Sequence, residues 1–241
     1  MTFHRPWACY QFTMILPLLK SPVGARALPF LVFVLLTAMQ GLLGLGSQYW
    51  IYVVKTFLGA WMIFSVRKAI PELRWSFSPV AILTGIGVFG LWVGLEGLYP
   101  HLSQLFSKAP IAAPTQAWNP HAYFGQGSLL AWWVIVVRCV GVTLVVPPIE
   151  EAFYRSLLYR AIERSDFLSM PLSQFAAKGF FVTSLVFGIS HREWLPGILC
   201  GMAYQFLVLR RGHLGEAMAA HAVTNALLSG FVLWKGAWQF W

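Results

Sequence analysis

Apolar stretches separated by charged, proline-containing or glycine-containing junctions recur along the whole chain. Seven are prominent: Leu28–Gly46, Tyr49–Val66, Pro79–Leu98, Ser128–Ile149, Gly179–Ser190, Trp194–Leu209 and Leu214–Trp234. A helix needs roughly 20 apolar residues to cross the hydrocarbon core of a bilayer. The pattern therefore predicts an all-α protein, a polytopic membrane bundle of about seven to eight transmembrane helices, with Phe12–Leu19 as the eighth candidate. Lys178 and Arg210 are too close in sequence for two full spans and a turn, which need about 40 residues. The hairpin between them is expected to be short and to hold His191 at depth.

Composition agrees with a lipid-solvated chain. Of 241 residues, 58% are hydrophobic and 10% charged, and the mean hydropathy is +0.66. Soluble domains carry about 25% charged residues, and one aqueous core could not hide this much apolar surface. The chain divides into an N-terminal cytoplasmic or interfacial arm (1–27), N-terminal helices with an external loop (28–127) and a C-terminal helical core (128–241). No cleavable signal peptide is evident, since Pro6, Gln11, Pro17 and Lys20 interrupt the first apolar run. Cys9, Cys139 and Cys200 are odd in number and widely spaced, so neither a disulfide framework nor a zinc knuckle is expected.

The net charge of +9 and pI of about 9.8 would raise nucleic acid as a partner in a soluble protein. Here the positive-inside rule accounts for the cations, and no nucleic acid is expected. With the N-terminus cytoplasmic, Arg5, Lys20, Arg26, Arg67, Lys68, Arg74, Arg155, Arg160, Arg164, Lys178, Arg210 and Arg211 fall on one side, a total of 12. Lys108, Lys235 and, at the hairpin tip, Arg192 fall on the other, a total of 2 or 3. Lys55, Glu96 and Arg138 lie within or near spans, where Lys55 and Arg138 would pair with a carboxylate or line a cavity. His101 and His121 are expected to be solvated loop residues.

Three polar clusters interrupt the C-terminal spans. In Pro147-Pro148-Ile149-Glu150-Glu151, the prolines are expected to end the incoming helix and pre-set a new one. Both carboxylates would then sit in a first helical turn, where the dipole favours negative charge. Arg155 is four residues beyond Glu151 and on its face, so the two can pair, while Glu150 points about 100° away. The second cluster is Phe187-x-x-x-His191, and the third is His221-x-x-x-Asn225, whose spacing puts both polar groups on one helical face. Each alone has an ordinary structural reading: a capped helix end, a boundary histidine, an interhelical hydrogen bond. Together they are the parts of a water-using peptide hydrolase. A carboxylate beside an imidazole can deprotonate water, and His and Asn can donate to a developing oxyanion.

In this order, within apolar spans, Glu150-Glu151-x-x-x-Arg155, Phe187-x-x-x-His191 and His221-x-x-x-Asn225 resemble the CAAX-protease and bacteriocin-processing family of intramembrane proteases. The resemblance covers roughly residues 130–230. It implies an intramembrane endopeptidase in which Glu150, helped by His191, activates water, His221 and Asn225 stabilise the oxyanion, and Glu151, Arg155 and Phe187 act in or support the site. The Trp-rich C-terminal tail is similar to that of bacterial CAAX-protease-related proteins that accompany exosortase systems, which implies the cell inner membrane of a bacterium. The implied partners are membrane lipid and a peptide or protein substrate, prenylated or carrying a sorting signal. No cofactor is required on this reading. Zinc held by Glu150, His191 and His221 is the metal-dependent alternative, disfavoured because the three come from separate spans and no closely spaced ligand pair is present. A proton- or metal-coupled transporter and a non-catalytic immunity or scaffold protein are the competing functions. Against the transporter, the chain shows no internal symmetry.

Overall fold

The computed structural model describes residues 19–100 and 117–241. Cys9, His101, Lys108 and all but the last residue of Phe12–Leu19 lie outside them. The described residues form helices and connecting turns, and each of the seven apolar stretches has a helix at its place. In chain order these are α1 (Pro22–Met39), α2 (Ser47–Val66), α3 (Pro79–Gly94), a short α4 (Pro120–Phe124), α5 (Leu129–Glu163), α6 (Ala177–Ile189), α7 (Trp194–Arg211) and α8 (Gly215–Lys235). Four of them, α1, α2, α5 and α8, are long and apolar enough to cross a membrane, while α3 and α6 are apolar but shorter.

Helix starts follow local chemistry. Ser21, Ser78 and Ser128 accept hydrogen bonds from the backbone N–H three residues on, and Pro22 and Pro79 occupy the first helical position, where a missing N–H costs nothing. The first helix thus begins at Pro22, inside the stretch read as an arm, and Arg26 is buried there against Glu72 at 2.7 Å. His121 is not simply a solvated loop residue. It lies in α4, capped by Asn119, with its ring against Trp132 and Trp238.

The helices pack where side chains are small. A Cβ on Gly85 of α3 would lie 2.5 Å from the Ala220 carbonyl of α8, and one on Gly188 of α6 would lie 2.7 Å from the Trp194 carbonyl of α7. Glycine at these points lets backbones approach closely, as is usual for helix pairs in lipid. The inner faces enclose Tyr154, Phe187, Cys200, Tyr204 and Leu207 with the alanine-rich turn Ala217–Ala220 of α8. The outer faces display Leu35, Phe57, Phe64, Leu83, Leu129, Val136, Phe181 and Phe206. Such a continuous apolar exterior is stable only when lipid replaces water.

At the end of the bundle where α1 begins, Glu72 ties α1 to α5. It accepts from Arg26, from Arg160 at 3.1 Å and from Ser156 at 2.5 Å. Burial pushes the Glu72 carboxyl up, but the Ser156 and Arg26 hydrogen bonds and the Arg26 charge outweigh it, and its pKa is lowered. At the opposite end the tip of the α6–α7 hairpin meets other backbone. Tyr99 donates to Glu193, Trp194 donates to the Pro100 carbonyl, and Arg192 donates to the Gln239 carbonyl. The hairpin is short, as its spacing requires: α6 has 13 residues, about 20 Å at 1.5 Å per residue. Its tip nonetheless joins the far-end connections, because α3, with 16 residues, is short as well.

Candidate active site

The Pro147-Pro148 pair does not break the helix. α5 runs through it from Leu129 to Glu163, and the carboxylates sit in mid-helix, without a first-turn dipole. The reason is a change of hydrogen-bond register. Gly141–Val145 is a π-helical turn in which the Val146 N–H reaches the Gly141 carbonyl, and a second π-helical segment spans Ala152–Leu158. Widening the turn makes room for rings that would collide with the carbonyls four residues earlier in an α-helix. It also strands an acceptor. The Val146 N–H is already used by Gly141, and Pro147 has none to offer, so the Val142 carbonyl has no backbone donor. Asn225 of α8 supplies it, donating from Nδ2 at 2.7 Å. A carbonyl can only accept, so this bond sets which end of the Asn225 carboxamide carries the N–H groups. One N–H of that amide is used and the other remains.

Glu151 is fully buried between two partners. Its Oε2 lies 3.2 Å from Arg155 Nε, the anticipated i,i+4 ion pair, and its Oε1 accepts from His221 Nδ1 at 3.1 Å. Arg155, also fully buried, donates to the Gly201 carbonyl and rests on the Phe187 ring, 4.4 Å from its centroid. Phe187 is the hub of this region, packing also on Tyr154 and on the His191 ring at 4.5 Å. Tyr204 of α7 stacks on His221 at 5.2 Å and donates its hydroxyl proton to Thr224. The sequence reading missed Tyr204. A tyrosine in an apolar span carries no local signal, and only the crossing of α7 over α8 places it.

His191 closes the other side. Its Nδ1 lies 2.6 Å from the Phe187 carbonyl, so Nδ1 carries the proton and Nε2 is the lone-pair nitrogen of the neutral ring. Ser190 donates to the same carbonyl and accepts from Tyr154 of α5 at 3.0 Å, tying the hairpin tip to the carboxylate helix. His221 likewise holds its Nδ1 proton toward Glu151. It donates through Nε2 only when it carries both protons, and accepts there when it carries one.

Glu150, His191, His221 and Asn225 all line one cavity of about 180 Å³, with Trp92, Tyr204, Thr224 and Phe187. Glu151 and Arg155 stand behind it, touching it only through His221 and Phe187. Glu150 is partly exposed, and its buried Oε2 has no hydrogen-bond partner. Among the described residues no group of three His, Cys, Asp or Glu side chains is placed to hold a metal ion. Arg138 lines the same cavity and Lys55 lies outside it, and among the described residues neither pairs with a carboxylate.

This combination defines a class of helical membrane protein with an interior carboxylate–imidazole cavity. Residues 131–227 match the family described as Type II CAAX prenyl endopeptidase Rce1-like, and this segment is similar to that family. The matched residues contain all three polar clusters. Comparison with curated proteins and with solved structures finds no match.

Proposed function

We propose that this chain hydrolyses peptide bonds within the membrane, using a water molecule activated by Glu150. The observation that carries this reading is the carboxylate oxygen of Glu150, buried without a protein partner at a cavity shared with His191, His221 and Asn225. An unpartnered buried acceptor is costly unless it has other work. On this scheme Glu150 takes a proton from water, with the Nε2 lone pair of His191 orienting the same molecule. The water oxygen bonds to the scissile carbonyl carbon. The free N–H of Asn225 and a doubly protonated His221, held by Glu151, donate to the oxyanion that forms. Collapse breaks the C–N bond, and Glu150 returns its proton to the leaving amine. Glu151 and Arg155 orient His221. The scheme routes no step through a metal.

The substrate on this reading is a peptide or protein segment held at the membrane, prenylated or bearing a sorting signal. On this reading the N-terminus and the Glu72 end of the bundle face the cytosol, in the inner membrane of a bacterium; the 12-to-2-or-3 division of Lys and Arg supports that orientation. The test is Glu150→Gln in protein purified into liposomes. It keeps the side-chain shape and removes the base, and cleavage should fall by at least about 100-fold, the lower end for general base catalysis. Cleavage near the wild-type rate would sink the assignment. A transporter or scaffold would show no Glu150-dependent cleavage at all.

A further inference from the structure

Behind the active site, α5, α6 and α7 meet at a cluster of polar side chains with bonding capacity to spare. Among the described residues, Arg155 Nη1, Thr183 Oγ1, Ser184 Oγ and both Oε1 and Nε2 of Gln205 are buried without a hydrogen-bond partner. All four residues are at most 1% exposed. Their places in the helices bring them to one spot. Arg155 of α5 donates through Nη2 to the Gly201 carbonyl of α7 at 3.3 Å. In an α-helix that carbonyl also accepts from the N–H four residues on, so the guanidinium lands at the root of Gln205. A Cβ on Gly201 would lie 3.0 Å from the Ser184 Cα, which puts Ser184 of α6 at the same level. Thr183 precedes Phe187 by one turn on one face of α6, and the Phe187 ring carries the guanidinium at 4.4 Å. One turn further, a Cβ on Gly179 would lie 2.9 Å from the Tyr159 carbonyl, so α5 and α6 close the cluster off toward the Glu72 end.

Unpaired polar groups are costly inside a protein, and the surrounding lipid offers them no bond. The chemistry of what satisfies them follows from the cluster. Gln205 offers an acceptor and two donors, the hydroxyls offer both, and Arg155 offers donors alone, so the ligand must donate and accept. The Arg155 charge is already met by Glu151 at 3.2 Å, so nothing here calls for an ion. Water meets both conditions. We propose that the junction of α5, α6 and α7 is a water-binding site, and that Gln205 is a positioning residue which acts on Arg155 through this water. A buried water makes about three hydrogen bonds to groups otherwise unsatisfied, so about two molecules serve the five atoms. Every nitrogen of Arg155 is then engaged: Nε with Glu151, Nη2 with Gly201 and Nη1 with water. A guanidinium held on three sides holds Glu151 in turn, and Glu151 accepts from His221 Nδ1 at 3.1 Å. The chain of contacts therefore ends on the imidazole that faces the cavity. The water site stands whatever the cavity does; the positioning role rests on the proteolytic reading.

The experiment has two arms. The first is a crystal structure of the full chain in lipid, from crystals that diffract well enough to show ordered water. Density should bridge Gln205, Ser184 and Arg155 Nη1. Side chains bonded directly to one another with no density between them, or a halide peak there after a bromide soak, overturn the proposal. The second arm is peptide cleavage in liposomes by Gln205 variants, at a temperature where unfolding curves show each variant folded. Gln205→Leu keeps the volume but cannot bond the water. It should lower kcat by about 10-fold, the rate equivalent of one hydrogen bond, and leave KM unchanged. Gln205→Asn is shorter, and one more water molecule spans the gap, so it should recover most of kcat. A direct contact would be lost on shortening as fully as in the leucine variant. Equal losses in Gln205→Asn and Gln205→Leu, or an unchanged kcat in Gln205→Leu, therefore overturn the water-mediated role. Failure of the proteolytic reading shows separately, as cleavage that persists in Glu150→Gln, and it leaves the density at Gln205 untouched.

Discussion

Replacing Glu151 by Gln tests how the site is held together. The substitution keeps volume and leaves an amide oxygen to accept from His221, but it removes the charge opposite Arg155. Both partners of the pair are fully buried and 3.2 Å apart. Arg155 would keep the Gly201 carbonyl and the face of Phe187, neither of which neutralises it. Removing one partner of a buried pair costs roughly 3–5 kcal/mol, because the remaining charge is stranded. Arg155→Met should cost a similar amount by stranding Glu151 beside His221. The double variant, neutral at both positions, should be more stable than either single one, with a coupling of at least about 2 kcal/mol between neighbours that share one network. The assay is reversible unfolding of the four proteins in mixed detergent micelles of rising denaturing fraction, with tertiary fluorescence as the signal. If the two single effects simply add, within about 0.5 kcal/mol, the two buried charges are not coupled and the reasoning fails.

Three further outcomes follow from particular residues. In a cysteine-free background, Ala69→Cys should resist a membrane-impermeant reagent added outside whole cells and Gln126→Cys should react, both positions being exposed; the reverse pattern would invert the topology. His221→Gln, which retains a donor, should keep more activity than His221→Ala, and the enzyme should survive dialysis against a strong chelator. One tightly bound metal per chain, with activity lost on its removal and regained on its return, would replace the metal-free scheme. Because the Glu72 pKa is lowered in the fold, its stabilisation is present above its ordinary value of 4.5 and is lost as pH falls through the folded value. Glu72→Gln should therefore flatten the loss of stability below about pH 4.5 in acid unfolding curves, and an unchanged acid limb would show that the Arg26–Glu72–Arg160 cluster does not set it.

Much of this protein is legible along the chain because lipid imposes one demand on all of it. Backbone groups must be satisfied within each span and side chains must be apolar outside, so runs such as Tyr49–Val66 declare helices without knowledge of their neighbours. The i,i+4 spacing of Glu151 and Arg155, and of His221 and Asn225, is likewise a property of one helix, and it announces shared faces. What the linear pattern could not supply is anything decided between helices. Pro147-Pro148 reads as a break when only α5 is considered. It stays within one helix because the π-helical turn Gly141–Val145 precedes it and Asn225, 83 residues beyond Val142, caps the carbonyl that the prolines leave bare. Glu151 carries the same side chain as Glu150, yet packing alone separates them, one enclosed by Arg155 and His221, the other facing the cavity. Arg138 shows the same limit most plainly. Its sequence neighbours Val137 and Cys139 reveal only a cation in an apolar span, while the aromatic rings around it come from α2, the segment before α4 and the chain's last residue. Helices follow from local hydrogen bonding and solvent, which each segment carries with it; partners follow from which faces meet, and that is settled only when the whole bundle closes.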